Sequence, residues 1–192
     1  MSKETGSAGM NVGADVIRGA KTNEGAAAKN FYKVECIGAD GKLKWVEEFG
    51  NLVVDVGLDS LLERFKTSST TWFVGLTDGS PPTIDPTDTM ASHVGWAEVI
   101  AYDEATRESL VLGDVDTSNQ SISNDPADPG TGTKASFAIN GSVTCGGAFV
   151  TTDGAKSGGA GTLYSVGAFG TEKVLTAGDT LVVKVTLSTS AA

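Results

Sequence analysis

The segment TWFVGLT, residues 71–77, has the composition of a buried β-strand. It combines aromatic and β-branched side chains without any charge, and the turn signal Gly79-Ser-Pro-Pro82 follows it. Short segments of the same kind recur along the chain between glycine-containing turns, in keeping with its 25 glycines and 5 prolines. We therefore predict a mainly β protein, a β-sandwich or jelly-roll-like domain, with about nine or ten short strands.

Two of the predicted strands form a hairpin. Phe31–Ile37 and Lys42–Glu48 are rich in β-branched and aromatic residues, and an Asp-Gly pair between them is a hairpin turn signal. In the second strand, period-two alternation places Leu43 and Trp45 on one face, with Glu47 beside them.

One helix is predicted, from about residue 56 to residue 66. Its apolar side chains recur at the spacing of a single helical stripe: Leu58, Leu61, Leu62 and Phe65. Asp55 is the expected N-cap, and Arg64 and Lys66 lie in the last turn, where the helix dipole favours positive charge.

More strands follow the helix and residues 71–77. They are predicted at Gly95–Tyr102, Ser109–Leu112, Lys134–Ile139, Val143–Thr151, Thr162–Phe169 and Thr180–Leu187. Residues 113–133 are polar and contain two Asp-Pro steps, which predicts a long exposed loop. Glycine-rich residues 153–161 predict a mobile hairpin loop, and Ala177-Gly-Asp179 predicts a tight turn.

The chain divides into two parts. Residues 1–30 are rich in Gly, Ala, Ser and Asn, so we expect a flexible N-terminal arm, and we assign the β domain to residues 31–192. The first residues lack the apolar core of a signal peptide, and no stretch reaches the roughly 18 apolar residues of a membrane span. These features predict a protein that is made in a cytoplasm and has no membrane partner.

The net charge of -10 is concentrated in one segment. Residues 78–128 contain eleven acidic side chains and a single basic one, Arg107, so this segment alone carries -10. Such a concentration of acids argues against binding to a phosphate backbone, and we predict no nucleic-acid partner. Two interpretations remain open: a solvated acidic face that maintains solubility, and a face that meets a basic partner.

Candidates for catalysis are few. His93 is the only histidine, Ser92 is its neighbour in sequence, and no Gly-x-Ser-x-Gly elbow occurs. Carboxylate pairs such as Asp103-Glu104 are expected by chance in so acidic a segment. Cys36 and Cys145 are expected to be small buried hydrophobes, with a single disulfide between them as the alternative. We predict no catalytic residue, no enzyme activity and a turn or surface position for His93.

Metal, phosphate and cofactor sites are not predicted either. Asp114-Val-Asp116 begins like a calcium loop, but Asn119 and Asp125 stand where glycine and glutamate are needed. Calcium held by loop carboxylates remains an alternative to a solvated loop. Gly154-Ala-Lys-Ser157 lacks the Gly-Lys step and the following helix of a phosphate-binding loop.

Several short segments occur in a characteristic order: Asn51–Leu62, Trp72–Thr77, Gly95–Val99, Ala101–Arg107, Gly147–Phe149, Gly161–Leu163 and Ala177–Leu181. In this order the chain, over about residues 31–187, resembles a family of small virion proteins of tailed bacteriophages, the capsid decoration or cement proteins. Residues 1–30 lie outside the resemblance.

The resemblance implies a β-sandwich or jelly-roll-like protein that binds the major capsid protein on the outer face of an icosahedral head. It implies a homotrimer, made in the host cytoplasm and located on the virion, without a catalytic motif. It also implies structural roles, for Gly57 and Gly75 in close backbone approach, for Trp72 and Trp96 in the core, and for Tyr102–Arg107 in a shaped turn.

Two alternative functions remain open. The first is another structural role in the virion, as a tail, fibre or baseplate component. The second is a carbohydrate-binding module for the host surface, with Trp45, Trp72 and Trp96 as aromatic platforms for a sugar. Core packing is the competing explanation for Trp72, because it lies within an apolar run.

Overall fold

The computed structural model describes residues 26–28, 31–37, 41–50 and 53–191, and it confirms the mainly β prediction. The strands of this part of the chain are β1 (Ala26–Ala28), β2 (Phe31–Ile37), β3 (Leu43–Gly50), β4 (Phe73–Asp78), β5 (Ala97–Glu98), β6 (Glu108–Ser109), β7 (Ser121–Ser123), β8 (Ala135–Ala138), β9 (Val143–Thr151), β10 (Leu163–Leu175), β11 (Thr180–Val183) and β12 (Thr186–Ala191). The helix is α1 (Asp55–Thr67). The predicted arm lies outside the described residues, except for β1.

The strands form several small sheets. The largest is antiparallel and has the order β10-β9-β4-β5, with β6 also paired to β4. A second sheet has the order β1-β12-β7, in which β1 runs parallel to β12. β8 pairs with β11, and the predicted hairpin forms as β2 paired with β3. The hairpin turn itself, at residues 38–40, lies outside the described residues.

The main core is built by side chains from several sheets. Val74 and Leu76 of β4 belong to the same buried cluster as Phe137 of β8, Ile122 of β7 and Leu187 of β12. Packing of this kind buries one face of each sheet against another element. The core therefore lies between the five-stranded sheet and the smaller sheets of β7, β8, β11 and β12.

Helix α1 extends one residue further at each end than predicted. Its N-cap is Val54, whose side chain makes no capping hydrogen bond, so the prediction that Asp55 is the N-cap is wrong. Asp55 lies in the first turn instead, where its charge complements the helix dipole. Leu58 and Leu62 are buried, whereas Leu61 is 46% exposed, so the buried stripe is narrower than the sequence pattern.

Residues 95–102 do not form the single long strand that the sequence predicts there. Only β5 forms, and the buried side chains are Trp96, Val99 and Tyr102, while Ile100 is exposed. The reason is that the chain leaves the five-stranded sheet after β5. The Val99 N–H still donates to the Leu76 carbonyl, but Tyr102 already bridges to Ile139, beyond the end of β8.

Residues 113–133 are not the exposed loop that their polarity predicts. They contain β7, and Ile122 and Asn124 are fully buried. The Asn124 side chain replaces a backbone pairing, since its Nδ2 donates to the Val183 carbonyl (3.2 Å) and its Oδ1 accepts from the Val185 N–H (2.7 Å). A buried polar side chain is tolerated when its hydrogen bonds are satisfied in this way.

The C-terminal strands are close to prediction. β9 has the predicted bounds, and the turn at residues 177–179 is confirmed by the Asp179 N–H donating to the Thr176 carbonyl. β10 extends to Leu175 through a register shift. The predicted strand Thr180–Leu187 is two strands, because β11 pairs with β8 whereas β12 pairs with β7 and β1.

Candidate functional site

The hairpin of β2 and β3 has one apolar face and one charged face. Residues directly opposite each other share a face, and the register pairs Tyr32 with Phe49 and Cys36 with Trp45. The side chains on this hairpin apolar face are Tyr32, Val34, Cys36, Trp45 and Phe49, with Glu47 among them. A register shift after Cys36 puts the opposed pair Ile37 and Leu43 on the other face, so the prediction that Leu43 and Trp45 share a face is wrong. The Tyr32 and Phe49 rings stack with centroids 5.4 Å apart.

The opposite face of the hairpin carries paired charges. Lys33 Nζ lies 3.1 Å from Glu35 Oε1 and 4.0 Å from Glu48 Oε1. Val46, opposite Glu35, belongs to the same face, and so do Ile37 and Leu43 beyond the register shift. Antiparallel strands with this pattern commonly expose the charged face to water and pack the apolar face against another element.

Nothing among the described residues covers the hairpin apolar face. Tyr32, Trp45 and Phe49 are each about half exposed, with Trp45 at 51%. Within the described residues, β2 and β3 form a separate two-stranded sheet. A two-stranded hairpin is only marginally stable in water without packing on another element. Contiguous exposed apolar surfaces of this kind are typical of interaction sites.

A second apolar surface is a groove of about 380 Å³ beside α1. Leu61 and Phe65 of α1 line it together with Trp72, Tyr164 and Leu187. The three aromatic rings form a cluster, with centroids 4.9 Å apart for Phe65 and Tyr164 and 5.5 Å apart for Trp72 and Tyr164. Trp72 is half-buried, so it lines a surface groove as well as packing on the core.

The other tryptophans differ from Trp72 in their surroundings. Trp96 is buried, packs on Phe149 and is covered by the His93 ring, whose centroid lies 3.6 Å away. His93 Nδ1 donates to the Trp96 carbonyl (3.1 Å). His93 therefore lies in a turn, as predicted, and also packs on Trp96. Trp96 presents no free ring face to a sugar, because His93 and Phe149 contact it.

Arg107 is fully buried in the structure. Its Nε and Nη2 donate to the two carboxylate oxygens of Glu98, each at 2.8 Å, and its Cζ lies 5.2 Å from the centroid of the Phe149 ring. A bidentate pair of this kind has little freedom and neutralises both charges. The shaped turn predicted at Tyr102–Arg107 is the segment that brings Arg107 into this position.

The same pair fixes the glycine-rich connection between β9 and β10. Arg107 Nη1 donates to the Asp153 carbonyl (2.8 Å), and Nη2 donates to the Gly158 carbonyl (3.0 Å). The Ser157 N–H donates to Glu98 Oε2 (2.7 Å). Residues 153–161, predicted as a mobile loop, are thus anchored at three points, because buried charges need several partners.

Most other acids of residues 78–128 also have a partner inside the molecule. Asp125 lies 3.1 Å from Lys134, and Asp128 lies 2.7 Å from Lys184. A backbone hydrogen bond from Ala127 lowers the pKa of Asp125, and the hydrogen bond from Lys184 lowers the pKa of Asp128. The acidic segment is therefore not one solvated face, and much of its charge is used to hold loops.

The residues considered for metal or phosphate binding have local structural partners. Asp116 accepts from the Ser118 N–H and from Asn119 Nδ2, and Asp114 pairs with Lys66. Lys156 Nζ donates to the Tyr102 carbonyl and lies 3.6 Å from the Tyr102 ring centroid. In the part of the chain that the structure describes, no three Asp, Glu, His or Cys side chains lie close enough to hold a metal ion.

The remaining candidates lie on separate elements. Asp103 accepts from Asn140 Nδ2, and Glu104 accepts from the Ala138 N–H. Cys36 and Cys145 are both free thiols, so they form no disulfide. Cys145 is a buried hydrophobe as predicted, and burial raises the pKa of its thiol, whereas Cys36 is half-buried on the hairpin.

Sequence reasoning missed the buried Arg107–Glu98 pair and the exposed hairpin apolar face. A single cation among eleven acids is the natural counter-ion of a buried carboxylate, which points to Arg107. Alternation along β3 put Leu43 beside Trp45, but the register shift after Cys36 separates them, and a sequence pattern does not say whether a face is covered.

Comparisons with known proteins add no relative. No protein-family model, no curated protein and no solved structure matches the chain. Among the described residues, no helix has the length and apolar character that crossing a membrane requires.

Proposed function

We propose that this protein is a structural component of a virion that decorates and stabilises the icosahedral capsid of a tailed bacteriophage. It binds the outer face of the major capsid protein lattice as a homo-oligomer, a trimer by the family resemblance, and performs no catalysis. The observation that carries the proposal is the hairpin apolar face, an exposed surface of the kind that assembly with other protein subunits requires.

The distribution of charge is compatible with this role. Four of the eleven acids of residues 78–128 form ion pairs with basic side chains, so part of the charge of this segment is compensated within the molecule. Many weak contacts, repeated by symmetry over a lattice, add up to strong attachment through multivalency. The order of motifs shared with decoration proteins is the specific support for a capsid as the lattice.

The direct test is to add the purified protein to phage heads that lack it and to image the particles. We expect density repeated over the head surface, together with heads that resist heating or chelation better than bare heads. Density confined to the tail would overturn the decoration proposal in favour of the tail, fibre or baseplate alternative. No bound density on any part of the particle would overturn both.

The aromatic groove beside α1 favours one second candidate, a carbohydrate-binding module. Trp72 and Tyr164 line the groove, and aromatic rings are the usual platforms for sugar rings. A glycan array would test this candidate with Tyr164→Ala and a matched control, Tyr32→Ala, which removes a partly exposed tyrosine elsewhere. A glycan signal lost only in Tyr164→Ala supports the candidate, and the absence of any glycan signal contradicts it.

A further inference from the structure

We infer that the partner of the hairpin apolar face is the same face of a second copy of this chain. The inference refines the proposed function, because it names the occupant of the surface that carries it. Its argument rests on three properties of the hairpin: the amount of apolar surface, the distribution of charge and, within the part of the chain that the structure describes, the absence of a covering element.

The amount of surface suits weak self-association. Of the five apolar side chains of this face, Tyr32, Trp45 and Phe49 are each about half exposed. Since a large aromatic side chain presents about 150–250 Å² in full, the five side chains together offer roughly 400 Å² per copy. Two such faces in contact would remove roughly 800 Å² from water, which is the size of a weak, transient interface.

The charge distribution favours a like surface over a charged one. Residues 31–50 contain three lysines and four acids, so the hairpin is close to neutral, whereas residues 78–128 carry the net charge of the chain. A basic partner would be drawn to the acidic segment and not to the hairpin. The surface that complements an apolar, nearly uncharged strand pair is another apolar strand pair, and every copy supplies one.

The single charge on the face is compatible with such packing. Glu47 lies opposite Val34 in the register, and a glutamate side chain is long enough to extend from an apolar surface towards water at its rim. The charged side of the hairpin, with the Lys33 ion pairs, would then form the outside of the assembly. This arrangement gives each hairpin the second layer that a two-stranded sheet lacks.

Two adjacent residues of β3 give a matched pair of variants. Trp45 lies on the hairpin apolar face and is 51% exposed, and Val46 lies on the charged face and is 49% exposed. Trp45→Lys places a charge in the proposed interface, where desolvation is costly. Val46→Lys places the same charge opposite Glu35, on the side that faces water.

The oligomeric state of the full-length chain is measured by analytical ultracentrifugation. We expect the wild type and Val46→Lys to form dimers, and not the trimers that the resemblance implies, because a face that packs on its own counterpart pairs two copies. We expect the Trp45→Lys dimer to dissociate at least tenfold more readily, with an unchanged thermal transition of the β domain. A monomeric wild type would overturn the inference. So would equal effects of the two variants, or no effect of either.

A cross-linking experiment gives an independent readout. Cys36 lies on the hairpin apolar face, whereas Cys145 is buried in the core. A short thiol-to-thiol cross-linker is expected to join two copies of the wild type and of Cys145→Ser, but not of Cys36→Ser. Covalent dimers that persist in Cys36→Ser, or that never form, contradict the packing of this face on its counterpart.

The self-association inference and the capsid proposal can fail independently of each other. Oligomers that form through the hairpin but fail to bind heads would leave the inference intact and remove the capsid proposal. A monomeric wild type that still decorates heads would remove the inference and leave the capsid proposal in place.

Discussion

Arg107 illustrates how one side chain organises several segments of this fold. It joins β5 through Glu98 to the connection between β9 and β10, and its own backbone N–H donates to the Gly154 carbonyl. Its charge is fully removed from water, so its stability contribution depends on every partner being present. Loss of the guanidinium would leave the Glu98 carboxylate buried without a counter-ion.

We therefore expect Arg107→Ala to lower the free energy of unfolding by about 3–5 kcal/mol, the usual result of removing one partner of a buried ion pair. Lys33→Ala is the control, because the Lys33 ion pairs are exposed and such pairs contribute about 1 kcal/mol or less. Urea denaturation followed by fluorescence measures both. Similar losses for the two variants would contradict the structural role of Arg107.

Gly75 and Gly57 were both expected to permit close backbone approach, and the structure separates them. A Cβ at Gly75 would lie 2.2 Å from Cζ of Phe149, whereas a Cβ at Gly57 would meet only Val53 Cγ1, at 3.3 Å. The requirement for glycine is thus confirmed at Gly75, on β4. At Gly57, in the first turn of α1, the structure shows only a contact with one side chain.

The two glycines give opposite predictions for substitution by alanine. Gly75→Ala is expected to destabilise the protein by about 2 kcal/mol or more, because the Phe149 ring cannot move away within a packed core. Gly57→Ala is expected to be neutral or to stabilise by up to about 1 kcal/mol, because alanine favours the helix. Thermal denaturation distinguishes the signs, and a stable Gly75→Ala variant would contradict the packing described here.

At the scale of elements, α1 shows what a hydrophobic stripe does and does not predict. Leu58, Leu61, Leu62 and Phe65 have the spacing of one face, and the helix forms where that spacing places it. Only tertiary packing decides which part of the stripe is buried. Leu58 is 1% exposed, whereas Leu61 borders the aromatic groove and is 46% exposed.

We expect Leu58→Ala to cost about 2–5 kcal/mol of stability, because it leaves a cavity beneath the helix. Leu61→Ala is the matched control on the same helix, with an expected cost below about 1 kcal/mol. Equilibrium denaturation of both variants measures the difference. A large loss in Leu61→Ala would mean that the groove is covered by something that stabilises the fold.

The sequence predicted elements well where a single local pattern decides them. Periodicity placed α1, a strand-like composition placed β9, and turn chemistry placed the hairpin and the turn at residues 177–179. The prediction from sequence failed where a buried polar side chain has its hydrogen bonds satisfied by the backbone, as Asn124 does near β11 and β12. Composition alone makes such a segment look like a solvent-exposed loop, although its hydrogen bonds allow it to be buried.

For the whole molecule, the ion pairs of the acidic segment predict a dependence of stability on pH. Hydrogen bonds lower the pKa of Asp85, Asp116, Asp125 and Asp128 below the ordinary aspartate value of 3.8. A lowered folded-state pKa means that the carboxylate stabilises the fold above the ordinary value. That contribution is lost as the pH falls through the folded-state pKa.

We therefore expect the free energy of unfolding to decrease as the pH falls below about 4. The decrease should be less steep in Asp128→Asn, because this variant lacks the charged contact with Lys184. Burial raises the pKa of Glu108, which opposes this trend by one group. Denaturation curves across this range test the prediction. A stability that increases on acidification would contradict it.

Candidate surfaces were harder to predict than the fold. Alternation along β3 put Leu43 and Trp45 on one face, but the register shift after Cys36 separates them, and a local pattern does not show such a shift. The groove could not be predicted, because Phe65, Trp72 and Tyr164 come from distant parts of the sequence. Long-range contacts of this kind decide a surface and leave no local pattern.

The position of β12 has a consequence for synthesis on the ribosome. β12 is the last described strand, yet it pairs with β1 and β7, and its Leu187 packs in the same core as Leu62 of α1. The nascent chain therefore cannot close its core until β12 has left the exit tunnel. Until then β1 and β7 lack the strand that pairs with both of them, so folding is completed only after β12 has been synthesised, when pairings between distant residues become possible.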